Sequence, residues 1–178
     1  MVSLARGTAH VCGGVLIDDK TVVTAKHCVT GGLIPDIAHV AALERVDLAV
    51  LHLEQSFPKG KQDGHDIDHA ELPAQGSTPE IGEVGLVAGW GVVESKKRPT
   101  RLWFAQLTVN EEDCLTQPEI PRTYFCMDSE RSSTCKGDSG SPEFRHGSRV
   151  VIGVNGSGRT DQNECEGEEG GDMSELIW

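Results

Sequence analysis

Three short stretches carry residue types that do chemistry when brought together. Thr24-Ala25-Lys26-His27-Cys28 comes first, Asp47-Leu48-Ala49-Val50-Leu51 second and Cys135-Lys136-Gly137-Asp138-Ser139-Gly140-Ser141-Pro142 third. A serine hydroxyl is a weak nucleophile until a base takes its proton. Histidine suits that task because its charge changes near neutrality. A carboxylate beside the imidazole fixes its tautomer and stabilises the imidazolium once formed. The tetrahedral intermediate needs backbone N–H groups aimed at its oxyanion. The turn Gly137-Asp138-Ser139 can offer two, from Gly137 and Ser139. Taken singly, a histidine beside a cysteine is usually structural, and an aspartate opening an apolar strand is common. Gly-Asp-Ser-Gly is the most specific of the three, because flanking glycines let a substrate carbonyl approach a serine closely. His27, Asp47 and Ser139 are therefore candidates for acyl transfer through an activated serine.

The elements that would carry these residues read as short strands. His10–Ile17 and Thr21–Ala25 are separated by Asp18-Asp19 and read as a hairpin. Val46–Leu53, Ile81–Trp90, Leu102–Val109 and Arg149–Asn155 follow as apolar, β-branched runs. Helical signals are few: Asn110-Glu111-Glu112-Asp113 resembles an N-cap with an acidic first turn, and Ser174–Trp178 could begin a second helix. The polar segment Glu54–Pro79 reads as surface loop, so His65 and His69 within it are not read as a metal pair. The acidic tail Asp161–Glu175 reads as solvated surface. An all-β protein is the base reading.

Composition narrows the function classes. The chain has 178 residues and a formal net charge of −12, which disfavours nucleic acid and anionic membrane surfaces as partners. No apolar run approaches the roughly 20 residues of a membrane helix. With 21 glycines and 8 prolines the chain must turn often. The six cysteines, Cys12, Cys28, Cys114, Cys126, Cys135 and Cys165, suggest disulfides and an oxidising compartment, although spacing alone does not choose their pairing. They lack the C-x2-C knuckle usual for zinc, so no metal is assigned. The opening MVSLARGTAHVCGG has no secretory leader, so such a segment is expected to lie outside this chain.

The ordered motifs resemble those of the chymotrypsin-like (trypsin-like) serine proteases. TAKHC is similar to the family's TAAHC, DLAVL to its DIALL and CKGDSGSP to its CQGDSGGP. Cys12-Gly13-Gly14 resembles the CGG before the histidine, and Gly89-Trp90-Gly91 the GWG that closes the first barrel. The His, Asp, Ser order is that family's order. The resemblance implies two antiparallel, six-stranded-type β-barrels, divided near Ser95–Arg98 into residues 1–95 with His27 and Asp47 and residues 99–178 with Ser139. It implies a secreted, monomeric endopeptidase acting on protein or peptide substrates without a cofactor. Its implied disulfides are Cys12–Cys28, Cys114–Cys126 and Cys135–Cys165.

The resemblance also implies a specificity pocket. Its floor is the residue six before the serine, Ser133, and its wall is Gly156-Ser157-Gly158, an arrangement expected to take large apolar or aromatic side chains. A one-residue shift would instead put Asp172 in the pocket and favour basic side chains; the reading preferred is that Asp172 belongs to the acidic tail. Several features depart from the family pattern. The interval between His27 and Asp47 is short, so the first barrel is expected to be incomplete. Ser141 stands where the family has glycine. The start Met1-Val2-Ser3-Leu4 resembles the first barrel strand rather than the Ile- or Val-led terminus whose amine pairs with the aspartate before the serine, here Asp138. An unpartnered Asp138 would favour a zymogen-like state, so a non-catalytic homologue acting by binding stands as the alternative to an enzyme.

Overall fold

The computed structural model describes residues 1–30, 37–42, 46–93, 98–110, 123–129, 133–158 and 172–176. The described chain is nearly all β. Strands β1 (Val2–Arg6), β2 (Ala9–Leu16), β3 (Thr21–Ala25), β4 (Ile37–Ala42) and β5 (Leu48–Leu53) form a five-stranded sheet in the order β1-β2-β3-β5-β4. A small hairpin follows, β6 (Gly60–Gln62) and β7 (His65–Ile67). Strands β8 (Val84–Gly89), β9 (Trp103–Val109), β10 (Tyr124–Asp128), β11 (Pro142–Arg145), β12 (Val151–Gly158) and β13 (Asp172–Leu176) close into a barrel in the order β10-β13-β12-β11-β8-β9.

The two sheets share a seam. Every residue of β3 is buried, because one face lies inside the first sheet and the other meets the second barrel. Val15, Val22 and Leu51 from the first sheet pack in one core with Val151 and Val154 of β12. Burying such a side chain fully contributes on the order of 1.5–3 kcal/mol. A second core, with Val87, Leu107, Val109, Phe125, Met127 and Ile152, fills the barrel interior.

The structure differs from the sequence reading in four places. The residues 54–79 are not all loop: Asp63-Gly64, both with positive φ, make the tight turn of the β6–β7 hairpin. His65 stands exposed on that hairpin, while His69 is buried and its Nε2 bonds the Phe57 carbonyl at 2.9 Å. Ser174–Leu176 is strand, not helix, because β13 finds ladder partners on both sides, in β10 and β12. Finally, the sheets do not divide at 95–98. β8, which ends at Gly89, pairs with β9 and β11, so Gly89-Trp90-Gly91 leaves a strand of the second barrel rather than closing the first. Beyond Asn110, the helix read at Asn110–Asp113 lies outside the described residues.

Candidate active site

Antiparallel pairing of β3 with β5 sets Ala25 opposite Leu48, so the residues just past β3 lie beside those just before β5. The chain after Ala25 makes one 3-10 turn, Lys26–Cys28, and His27 sits on it. Asp47 then grips this turn at three points. Its carbonyl accepts the Lys26 N–H at 3.0 Å, Oδ1 accepts the His27 N–H at 2.9 Å and Oδ2 meets His27 Nδ1 at 2.6 Å. With Nδ1 donating to the carboxylate, the neutral ring leaves Nε2 free to accept a proton. The His27 side chain is 45% exposed, within reach of an incoming molecule.

Cys28 is joined to Cys12 of β2 by a disulfide, which pins the turn to the neighbouring strand. Cys126 and Cys135 are also disulfide-bonded, and Cys114 and Cys165, their partners by resemblance, lie outside the described residues. Cys12, His27 and Cys28 place potential ligand atoms within 4.8 Å of one another. The two sulfurs are bonded to each other, however, so neither offers the thiolate a metal would need.

The segment 135–141 reaches this region from the second barrel. Gly137 and Gly140 have φ of 106° and 77°, values a side chain would strain. A Cβ on Gly140 would also lie 2.3 Å from Thr24 Oγ1. The turn between them is tied down on both sides: the Ser139 carbonyl accepts the Gly13 N–H at 2.8 Å, and the Gly140 N–H donates to the Asn155 carbonyl at 2.7 Å. Cys28 Sγ is 3.7 Å from the Ser139 carbonyl oxygen, which brings Ser139 beside the His27 turn. Among the described residues, the N–H groups of Gly137 and Ser139 have no acceptor, and Ser139 Oγ has no hydrogen-bond partner.

Asp138 points away from that surface. Its carboxylate accepts the Gly91 N–H at 2.8 Å and the Cys135 N–H at 3.0 Å. It fits only because residues 89 and 91 are glycines: a Cβ there would come within 1.8 and 2.3 Å of its oxygens. Burial pushes the Asp138 carboxyl above its ordinary value, while the two N–H groups and the nearby His10 and Arg98 pull it down.

Of the pocket residues, Ser133 is half-buried beside buried Thr134, whose Oγ1 accepts the Asn155 amide at 2.6 Å. Gly156, Ser157 and Gly158 end β12, and Asp172 is the ladder partner of Gly158. The sequence reading did not single out the glycine pair around Asp138 as its cradle, nor His10. Gly89-Trp90-Gly91 was visible as a motif, but nothing in it says what fills the space above the glycines.

This arrangement, an antiparallel sheet and a closed β-barrel meeting along a seam with His, Asp and Ser contributed from both sides, is the architecture of the chymotrypsin-like serine proteases. The family model described as Trypsin matches residues 1–46 and 40–170. Trypsin Blo t 3 of Blomia tropicalis is 27% identical over 189 residues, covering 86% of this chain and 69% of that protein. Trypsin beta of Drosophila erecta is 26% identical, covering 86% and 70%. The solved structure of neuropsin, a serine protease expressed in the limbic system of mouse brain, superposes with a TM-score of 0.80 at 22% identity, covering 98% of this chain and 87% of that one. The chain belongs to the trypsin family of serine proteases.

Proposed function

We propose that the chain is a serine endopeptidase with Ser139 as nucleophile, His27 as general base and then acid, and Asp47 as the group that orients His27. The observation that carries this reading is the double grip of the Asp47 carboxylate on the backbone and ring of His27. It fixes the ring with Nδ1 toward the carboxylate, which is the tautomer a base acting through Nε2 requires. Among the described residues the Ser139 hydroxyl and the N–H groups of Gly137 and Ser139 are unengaged, which supports it further.

The chemistry follows from those groups. Ser139 Oγ bonds to the scissile carbonyl carbon as its proton passes to His27 Nε2. The carbonyl π electrons move onto oxygen, where the N–H groups of Gly137 and Ser139 receive the charge. The C–N bond then breaks, and His27 returns the proton to the leaving amine. Water repeats the sequence on the acyl-enzyme, with its proton passing to His27 and then to the departing Ser139 Oγ. Ser133 and Gly156–Gly158 would hold the substrate side chain, with large apolar or aromatic residues favoured. We further propose a secreted, monomeric enzyme whose disulfides suit an oxidising compartment.

A second reading, a protease homologue that binds without cleaving, draws on one observation: Ser139 Oγ makes no hydrogen bond to the His27 ring. In free proteases this bond can be long and tighten only with substrate. Hydrolysis of peptides with varied aromatic and basic side chains, run beside Ser139→Ala, separates the two. Turnover lost in Ser139→Ala supports the enzyme. Absence of turnover in the parent chain, with peptide binding retained, supports the homologue.

A further inference from the structure

Asn155 of β12 carries a buried amide that the proposed chemistry does not use. Its backbone holds the segment that follows the nucleophile: its carbonyl accepts the Gly140 N–H at 2.7 Å, and its N–H donates to the Ser141 carbonyl at 2.9 Å. Its side chain reaches elsewhere. Nδ2 donates to Thr134 Oγ1 at 2.6 Å, beside Ser133. Asn155 is 2% exposed and Thr134 5%. Asn155 thus joins the two parts of the proposed pocket, the floor at Ser133 and the wall Gly156–Gly158 that continues from it along β12.

The bond to Thr134 uses only the donor half of the amide. A side-chain amide also has a carbonyl oxygen that accepts. Among the described residues Asn155 Oδ1 has no hydrogen-bond partner, and it is not sealed from solvent as Ser141 Oγ is. Leaving such an oxygen dry and unpaired is costly, so native structures keep few of them. Ser133 and Thr134 are hydroxyls and carry no charge. An ammonium or guanidinium entering there would shed its water without gaining a carboxylate from either. An aromatic ring that ends in O–H is different: the ring fills apolar space, and the hydroxyl needs one acceptor.

We infer that Asn155 is a specificity-determining residue of the proposed reaction: its Oδ1 accepts a hydrogen bond from the tip of the substrate side chain, so that tyrosine is cleaved in preference to phenylalanine. This rests on the endopeptidase reading and narrows the side chain it names. Phenylalanine fills nearly the same volume but leaves Oδ1 desolvated and unpaired. A site that hydrogen-bonds a substrate hydroxyl rejects the analogue lacking it more strongly than an apolar pocket separates side chains differing by one methylene. With a single neutral acceptor the preference is about 10-fold in kcat/KM.

The test uses the full chain and chromogenic peptides that differ only in the residue whose carbonyl is attacked: tyrosine, phenylalanine, 4-aminophenylalanine, 4-fluorophenylalanine or lysine. Tyrosine and 4-aminophenylalanine, whose tips donate, should exceed phenylalanine and 4-fluorophenylalanine, whose tips do not, by about 10-fold in kcat/KM. Asn155→Leu nearly keeps the volume and removes the acceptor, so its tyrosine-to-phenylalanine ratio should fall to within about 2-fold. A purely structural clasp on Thr134 would lower every aromatic peptide together and leave the ratios alone. Parental ratios in a folded Asn155→Leu, or phenylalanine cleaved as well as tyrosine by the parent, overturn the inference. Where Asn155→Leu does not fold, the parent decides: 4-fluorophenylalanine cleaved as well as tyrosine overturns it. A parent that takes a fluorophosphonate label at Ser139 yet cleaves only the lysine peptide, or none, overturns this inference alone. A parent that neither cleaves any of them nor labels at Ser139 removes the endopeptidase reading, and this inference with it.

Discussion

Replacing Gly91 by alanine puts a methyl group on the Asp138 carboxylate. The new Cβ would lie 2.3 Å from Oδ2, 2.4 Å from Cγ and 2.6 Å from Oδ1, distances that no relaxed contact reaches. Gly91 does not have positive φ, so the effect is steric rather than conformational. The carboxylate has to move, and both of its N–H bonds, to Gly91 at 2.8 Å and Cys135 at 3.0 Å, weaken or break. Hydrogen bonds to a charged group contribute about 1.5–3 kcal/mol each, so losing both costs about 3–6 kcal/mol. That is a large share of the roughly 5–15 kcal/mol that stabilises a typical domain. The Gly137–Ser139 turn loses its inner anchor at the same time, so fluorophosphonate labelling of Ser139 should slow by about 100-fold. Urea unfolding with an unchanged slope reads the first effect, and labelling kinetics read the second. In an Asp138→Ala background the clash is gone, and Gly91→Ala should cost under about 1 kcal/mol. A Gly91→Ala variant with parental midpoint and labelling rate, or one equally damaged in both backgrounds, would refute the reasoning.

Opening the Cys12–Cys28 disulfide with a Cys12→Ala, Cys28→Ala pair releases a loop with a sequence separation of 16. The urea midpoint should fall by the equivalent of about 3 kcal/mol. Ser141 is fully buried, and among the described residues its Oγ has no hydrogen-bond partner. Ser141→Ala removes that desolvated hydroxyl and should raise stability by about 1 kcal/mol in the same assay. The Asp68 carboxyl is held at about 2, first by its bond to Arg149, then by Lys59 and the His69 N–H. Because the native value is depressed, this contribution is present above 3.8 and is lost as pH falls toward about 2. Arg149→Ala should move the Asp68 titration seen by carboxyl NMR up toward 3.8, and added salt should do so more weakly.

What the sequence made legible was what local pattern encodes. The apolar runs around β3 and β5 were visible because β3 is buried throughout and β5 is buried at Leu48, Ala49 and Leu51. His27 and Asp47 were brought together by the types and order of their motifs, whereas the β3–β5 ladder that sets them side by side came only from the structure. β4, β10 and β11 were not read, since none of them shows a clear apolar–polar alternation. β13 was misread because its stability comes from backbone ladders to β10 and β12 rather than from an apolar pattern in its acidic sequence. His10 was invisible for a different reason. Its partner Gly137 is 127 positions away, and a single histidine in a strand has no spacing to mark it. The Asp138 cradle was likewise hidden: the glycines that make room for it are 47 or more positions upstream. The serine at 141 was visible as a departure from the family pattern, whereas the burial of its hydroxyl follows only from the packing of the turn against Gly13.

The central claim is that Ser139 is a nucleophile activated by His27 and served by the N–H groups of Gly137 and Ser139. Incubating the folded, disulfide-bonded chain with a fluorophosphonate and locating the adduct by mass spectrometry tests it most directly. Such reagents need an activated serine and a formed oxyanion site, not simply the right residues. The account predicts one adduct, on Ser139, that vanishes in Ser139→Ala and forms far more slowly in His27→Ala. A folded chain that takes no adduct, or takes it on another serine at a rate indifferent to His27, would contradict it.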